Sequence, residues 1–232
     1  MNKLLVAISL YLFPLLLFSQ GDSLYFSNAV RINLKKYKKE SSLAFRTGNV
    51  ERGKYLFDSL VDYRLTGTKM DNFTFKKVNR KKIKLNSFKK PVVLITYASW
   101  CVMSPGEIPA LNKIAQKYKD DVAIVVLFWD RRNKMKRLAR KFNRHITVCY
   151  AHESYKGDSN AVTSLKHTLG LPTSFYLDSK LHIVDIKRCG MQLCPKKTPY
   201  NKAYALNYNS FLEGLSTIII DKEVKKDMLA IK

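Results

Sequence analysis

The sequence predicts an α/β protein, a mixed sheet with helices on both faces. Three observations carry that expectation. From Pro91 onward, apolar runs rich in β-branched residues alternate with segments of helical period. Two strand-like runs then follow each other around a tight polar turn at Asp178-Ser179-Lys180, so the sheet cannot be purely parallel. Between the first long strand and the first helix lies a short turn that carries a lone cysteine, Cys101.

Taken in order, Met1-Asn2-Lys3 followed by the apolar run Leu4 to Phe18 and then Ser19-Gln20-Gly21 reads as a cleaved signal peptide over residues 1–20. The run is short for a membrane span and holds Pro14. It implies export to the periplasm or cell envelope. Residues 21–68 form a helical extension in which Gly48-Asn49 separates two amphipathic stretches. The sequence leaves open whether this extension packs on the main domain or serves as a partner-binding arm. The main domain, 69–232, opens with a β-hairpin, Phe73-Thr74-Phe75 and Ile83-Lys84-Leu85 around a basic turn. The runs Val92–Tyr97, Val122–Trp129 and Ile146–Tyr150 are buried strands. Ile108, Leu111, Ile114 and Ala115 mark one face of the first intervening helix. Met135, Leu138, Ala139 and Phe142 mark the second. A short helix, Ala161 to Leu169, is closed by Gly170. The hairpin Thr173–Leu177 and Leu181–Ile186 follows, and a last helix is expected from Ser210.

The turn reads Trp100-Cys101-Val102-Met103-Ser104-Pro105-Gly106-Glu107-Ile108-Pro109-Ala110-Leu111. Here the chain resembles the thioredoxin-like thiol–disulfide oxidoreductases, in particular the exported bacterial reductases, whose pattern is Trp-Cys-x-x-Cys-x-x-Glu-x-Pro-x-Leu. Trp100, Cys101, Glu107, Pro109 and Leu111 fall on it, and Ser104 stands where the second cysteine belongs. The resemblance extends to Gly170-Leu171-Pro172-Thr173: it implies a cis-proline at Pro172 before a core strand, with Trp100, Leu171 and Pro172 lining a substrate groove. It also implies protein thiols or disulfides as partners. Thioredoxins carry a buried acid six residues before the first cysteine, and this chain has Ile95 there.

A cysteine at a strand-to-helix junction meets unpaired N–H groups and the positive end of the helix dipole, which predicts a stabilised thiolate at Cys101. The Ser104 hydroxyl is expected to hydrogen-bond that thiolate. Without a second thiol, Cys101 can form a mixed disulfide but cannot release itself. Two readings follow: a monothiol (CxxS) exchange or isomerase-type protein, and a redox-inactive scaffold or peptide-binding module. A peroxide-reducing site of the form Pro-x-x-x-Thr/Ser-x-x-Cys is excluded, because the positions concerned are Leu94 and Ala98.

Among the other cysteines, Cys189 and Cys194 enclose a four-residue loop and are expected to form a local structural disulfide in an oxidising compartment. Cys149 lies in an apolar run and reads as an inert buried thiol. Neither the cysteines nor the four dispersed histidines have metal-ligand spacing, so no metal and no organic cofactor is implied. The formal net charge is +24. It suits either lysine-rich solvated faces or an anionic partner surface, and no nucleic-acid-binding fingerprint accompanies it.

Overall fold

The computed structural model describes residues 24–101, 103–188 and 198–230, the backbone alone over 222–230. The expected signal peptide and the Cys189–Cys194 bridge lie outside the described residues.

Seven strands form one sheet: β1 (Thr74–Lys77), β2 (Lys82–Lys84), β3 (Val92–Tyr97), β4 (Ala123–Phe128), β5 (Ile146–Tyr150), β6 (Thr173–Leu177) and β7 (Ile183–Arg188), in the order β2-β1-β5-β4-β3-β6-β7. The central pairs β3–β4 and β4–β5 are parallel, whereas β1–β2, β1–β5, β3–β6 and β6–β7 are antiparallel. Parallel neighbours need crossovers, and helices α3 (Glu107–Lys117) and α4 (Arg132–Ala139) supply them. Every residue of β3 is buried. That explains its unbroken apolar run, since a central strand covered on both faces has no solvent side to signal.

The two faces have separate cores because successive side chains of a strand point to opposite sides. Leu94, Val125, Leu127, Cys149 and Phe175 face the N-terminal helices α1 (Phe26–Arg46) and α2 (Val50–Leu60), the latter running on through a π-helical turn, Val61–Leu65. Val93, Ile95, Tyr97, Val126, Phe128 and Tyr176 face α3, α4 and the long C-terminal helix α6 (Tyr200–Ala230). A short helix α5 (Ser159–Ala161), continued by a π-helical segment to Lys166, lies before β6 on the first face. The expected mixed sheet with helices on both faces is the observed architecture.

The N-terminal helices are seated on the sheet. Phe26 and Ala29 are fully buried, and Phe26 meets Phe175 edge-on at 5.6 Å between ring centroids. The Phe26 N–H donates to the Lys69 carbonyl at 2.8 Å, and the Gly67 N–H to the Ile183 carbonyl at 2.8 Å.

Two boundaries differ from expectation. Helix α6 starts at Tyr200, ten residues before Ser210. Its buried stripe is Ala203, Asn207, Phe211, Leu215 and Ile218, and the asparagine and the flanking tyrosines blur the helical period in the sequence. Strand β7 begins at Ile183 because Leu181 takes the turn conformation, φ 68°. Close packing of α6 depends on two glycines. A Cβ on Gly214 would lie 2.1 Å from the Tyr176 ring. At Gly106, where φ is +78°, a Cβ would lie 2.8 Å from the Tyr204 backbone.

Candidate functional site

Strand β3 delivers the chain to the site. Ala98 is buried, the Cys101 N–H closes a turn onto the Ala98 carbonyl at 2.9 Å, and Trp100 is thrown outward at 72% exposure. Cys101 is half-buried. At the same end of the sheet lies the start of β6, since Thr96 pairs with Thr173 and the Thr96 hydroxyl donates to the Thr173 carbonyl at 3.1 Å. The Leu171–Pro172 peptide immediately before it is cis. Topology therefore brings Trp100, Cys101 and Pro172 to the same end of the sheet, while the Leu171 side chain packs against the α1–α2 core.

Two sequence expectations about the thiol are corrected. Helix α3 begins at Glu107, six residues after Cys101, and Gly106 with its left-handed backbone precedes it. The dipole effect is confined to the first turn, so Cys101 lies outside its reach. Instead the Cys101 thiol is pushed above its ordinary range, chiefly by burial. A backbone hydrogen bond at Ala98 opposes this, and the carboxylates of Asp130 and Glu107 add to it. Burial therefore works against a thiolate at Cys101.

The second correction concerns Ser104. It is buried, and its hydroxyl turns to Asn207 of α6 (Ser104 Oγ to Asn207 Nδ2, 2.8 Å, and Oδ1, 3.0 Å) and to Glu107 (3.2 Å). Cys101 is not among its partners. The Ser104 N–H donates to the Glu107 carboxylate at 2.9 Å, and the Tyr97 hydroxyl donates to the other Glu107 oxygen. Asn207 also donates to the carbonyls of Pro105 (3.2 Å) and Ala203 (2.8 Å). A buried polar network thus fills the place of the second cysteine and satisfies its own members. It fixes the Ser104–Glu107 turn to β3 and to α6.

On the other side, Asp130 follows the end of β4. Its carboxylate accepts from the Ser99 N–H (2.6 Å) and the Ser99 hydroxyl (2.5 Å), clamping the turn before Cys101. Sequence reasoning missed Asp130, Tyr97 and Asn207. For Asp130 a signal existed, an acid placed directly after a buried strand. For Asn207 there was none.

Cys149 is the penultimate residue of β5, fully buried, with its thiol pushed up to about 12 by burial, partly opposed by Lys77. Among the described residues, no group of three His, Cys, Asp or Glu side chains could hold a metal ion, and no helix is long and apolar enough to cross a membrane.

The AhpC/TSA family model matches residues 66–186. Thioredoxin-like protein YneN of Bacillus subtilis is 26% identical over 121 residues, which is 52% of this chain and 69% of that protein. Among solved structures, the thioredoxin domain of a thiol-disulfide oxidoreductase from Bacteroides vulgatus is similar with a TM-score of 0.47 and 21% identity, over 61% of this chain and 94% of that one. A thiol:disulfide interchange protein from Bacteroides sp. is similar with a TM-score of 0.47 and 20% identity, over 64% of this chain and 88% of that one. The matched stretch 66–186 holds Cys101, Asp130 and Pro172 and stops short of Asn207.

Proposed function

The chain belongs to the AhpC/TSA family, and on that footing we propose that it is an exported thiol–disulfide exchange protein working with a single thiol, Cys101. The observation that carries this reading is the separation of roles at the site. Cys101 is half-exposed beside an exposed tryptophan, whereas the position of a second thiol is a buried serine committed to Glu107 and Asn207.

In this reading the Cys101 sulfur attacks one sulfur of a partner's disulfide. The partner's S–S bond breaks, a Cys101–partner disulfide forms, and the partner's other sulfur leaves as a thiolate. Release follows when that thiolate, or another thiol of the same partner, attacks the partner sulfur and expels Cys101. The number of disulfides is unchanged, so the cycle isomerises a partner without an outside oxidant or reductant. A thiol held above its ordinary pKa attacks slowly at neutral pH and is also a poor leaving group, so the mixed disulfide is long-lived. Peroxide reduction is no part of this function. Leu94 and Ala98, where such a site needs proline and a hydroxyl, are apolar and buried.

The test is capture. Incubated with a scrambled disulfide protein, the chain should form a covalent adduct that reductant releases. Cys101→Ala should abolish it and Cys149→Ala should leave it intact. An adduct that survives Cys101→Ala refutes the assignment. The raised thiol favours one other reading, a peptide-binding module without sulfur chemistry. That reading wins if Cys101→Ser binds unfolded partners as well as the parent chain does and no adduct ever forms.

A further inference from the structure

The positive charge is not spread evenly around the sheet. Residues 72–106 contain eight Lys and Arg and no Asp or Glu, and residues 131–152 contain eight more and again no acid. The fold puts these two stretches side by side. The β1–β2 hairpin forms the sheet edge next to β5, and the Arg132 guanidinium on α4 donates through Nε to the Val78 carbonyl in the hairpin turn at 2.7 Å. Arg80, Lys81 and Lys82 of the hairpin and Lys134, Arg137 and Lys141 of the α4 region are exposed. None of these six is in an ion pair among the described residues, although Lys76 of the same hairpin pairs with Asp158 at 3.2 Å.

The surface also ends in a definite place. Asp130 clamps the turn that presents Cys101, and the next two residues, Arg131 and Arg132, open α4. The basic surface therefore begins next to Asp130, whose carboxylate clamps the turn before Cys101. Lysines on an edge strand guard against edge-to-edge pairing, which accounts for Lys82 and Lys84 of β2 and leaves α4 unexplained.

We infer that the hairpin–α4 surface docks an acidic polypeptide and delivers its sulfur to Cys101. This rests on the exchange reading above and names its substrate class. A polypeptide is favoured over a lipid headgroup or a nucleic acid because the surface begins beside the turn that presents a thiol, whose partner must carry sulfur. Complementary charge of this kind raises encounter rates by about ten- to a thousandfold at low salt and loses the gain as salt rises.

The experiment uses the full chain and three synthetic peptides with the same disulfide, flanked by Asp/Glu, by Ser/Gly or by Lys. Rates of mixed-disulfide formation are each divided by that peptide's rate with free cysteine. The acidic peptide should react about tenfold faster than the neutral one at low salt, and within about twofold at about 0.5 M salt. Lys134→Glu, Arg137→Glu and Lys141→Glu together should abolish the preference. Lys35→Glu, Lys36→Glu and Lys39→Glu on α1, an equal change in net charge on the opposite face, should preserve it. Equal rates for the three peptides, or equal losses in the two triple variants, overturn the proposal. Binding of an acidic peptide with serines in place of its cysteines separates the two ideas: binding without any adduct refutes the exchange function and keeps the docking surface. Displacement of that peptide by duplex DNA or by phosphatidylglycerol vesicles at lower concentration than by the acidic peptide itself also overturns the polypeptide assignment.

Discussion

Cys101 and Cys149 are the same side chain in one sheet, and burial raises the thiol of both. What separates them is what surrounds the sulfur. Cys149 sits near the end of β5 in an apolar core and is fully buried, and the charge that acts on its thiol is that of Lys77. Cys101 sits in a turn at a strand end, half-exposed and flanked by two buried carboxylates. Burial raises both thiols, to about 12 at Cys149, and of the two only Cys101 keeps exposed surface. Exposure is the clearest difference, and at Cys101 the two carboxylates add to the effect of burial.

The largest test of that contrast is differential labelling. With a small alkylating agent near neutral pH, Cys101 should react at least about a thousandfold faster than Cys149. Thiolate fraction falls tenfold per pKa unit, and burial adds a structural barrier. Labelling of both sites at similar rates in the folded chain would break the contrast.

Alkaline stability should sharpen it next. A group whose folded pKa lies above its unfolded one keeps more protons in the native state, so stability is full below the unfolded thiol value of about 8.5 and is lost as pH rises above it. For Cys149 the loss continues to about 12. Cys149→Ala should therefore move the onset of alkaline unfolding upward by about one pH unit, measured by circular dichroism. No change, or a downward move, would mean that the Cys149 thiol is not desolvated as described.

A smaller effect tests the carboxylates. Asp130→Asn can keep both bonds to Ser99 while removing the charge. Cys101 should then titrate lower and label about three- to tenfold faster at neutral pH, consistent with loss of a nearby like charge. Its midpoint should remain above the unperturbed value because burial, the largest cause, persists. The smallest expected effect is that of Asn207→Ala. It removes the link between α6 and the Ser104 turn, at a cost of about 1–2 kcal/mol in a denaturant titration, and leaves the Cys101 midpoint in place. A midpoint that shifts would make Asn207 a positioning residue for the thiol.

Local chemistry was readable in the chain. The β3 run and the α3 period each declare themselves within a few residues, so the sheet follows from pattern, while the Gly170-Leu171-Pro172 landmark came from the family resemblance. The electrostatics did not follow. Asp130 is 31 residues from Ser99, and Asn207 is 103 from Ser104. Contacts of that range leave no periodic trace. The expected Ser104–Cys101 bond failed for the same reason, because a better-placed partner arrived on a helix that begins ten residues before the expected start at Ser210. The expected dipole effect failed because Gly106 and its neighbours postpone the helix by six residues.

The stretch shared with relatives, 66–186, and the body that folds are different in extent. Cutting at those borders would strip α1 and α2 from one face of the sheet and α6 from the other, baring Phe175 and Leu177 on one side and Tyr176 on the other. Such a fragment would keep every residue of the thiol turn and lose the surfaces that hold it still. Dissection of this protein should therefore proceed by substitution within the whole chain, because the matched stretch lacks the helices that cover both faces of its sheet.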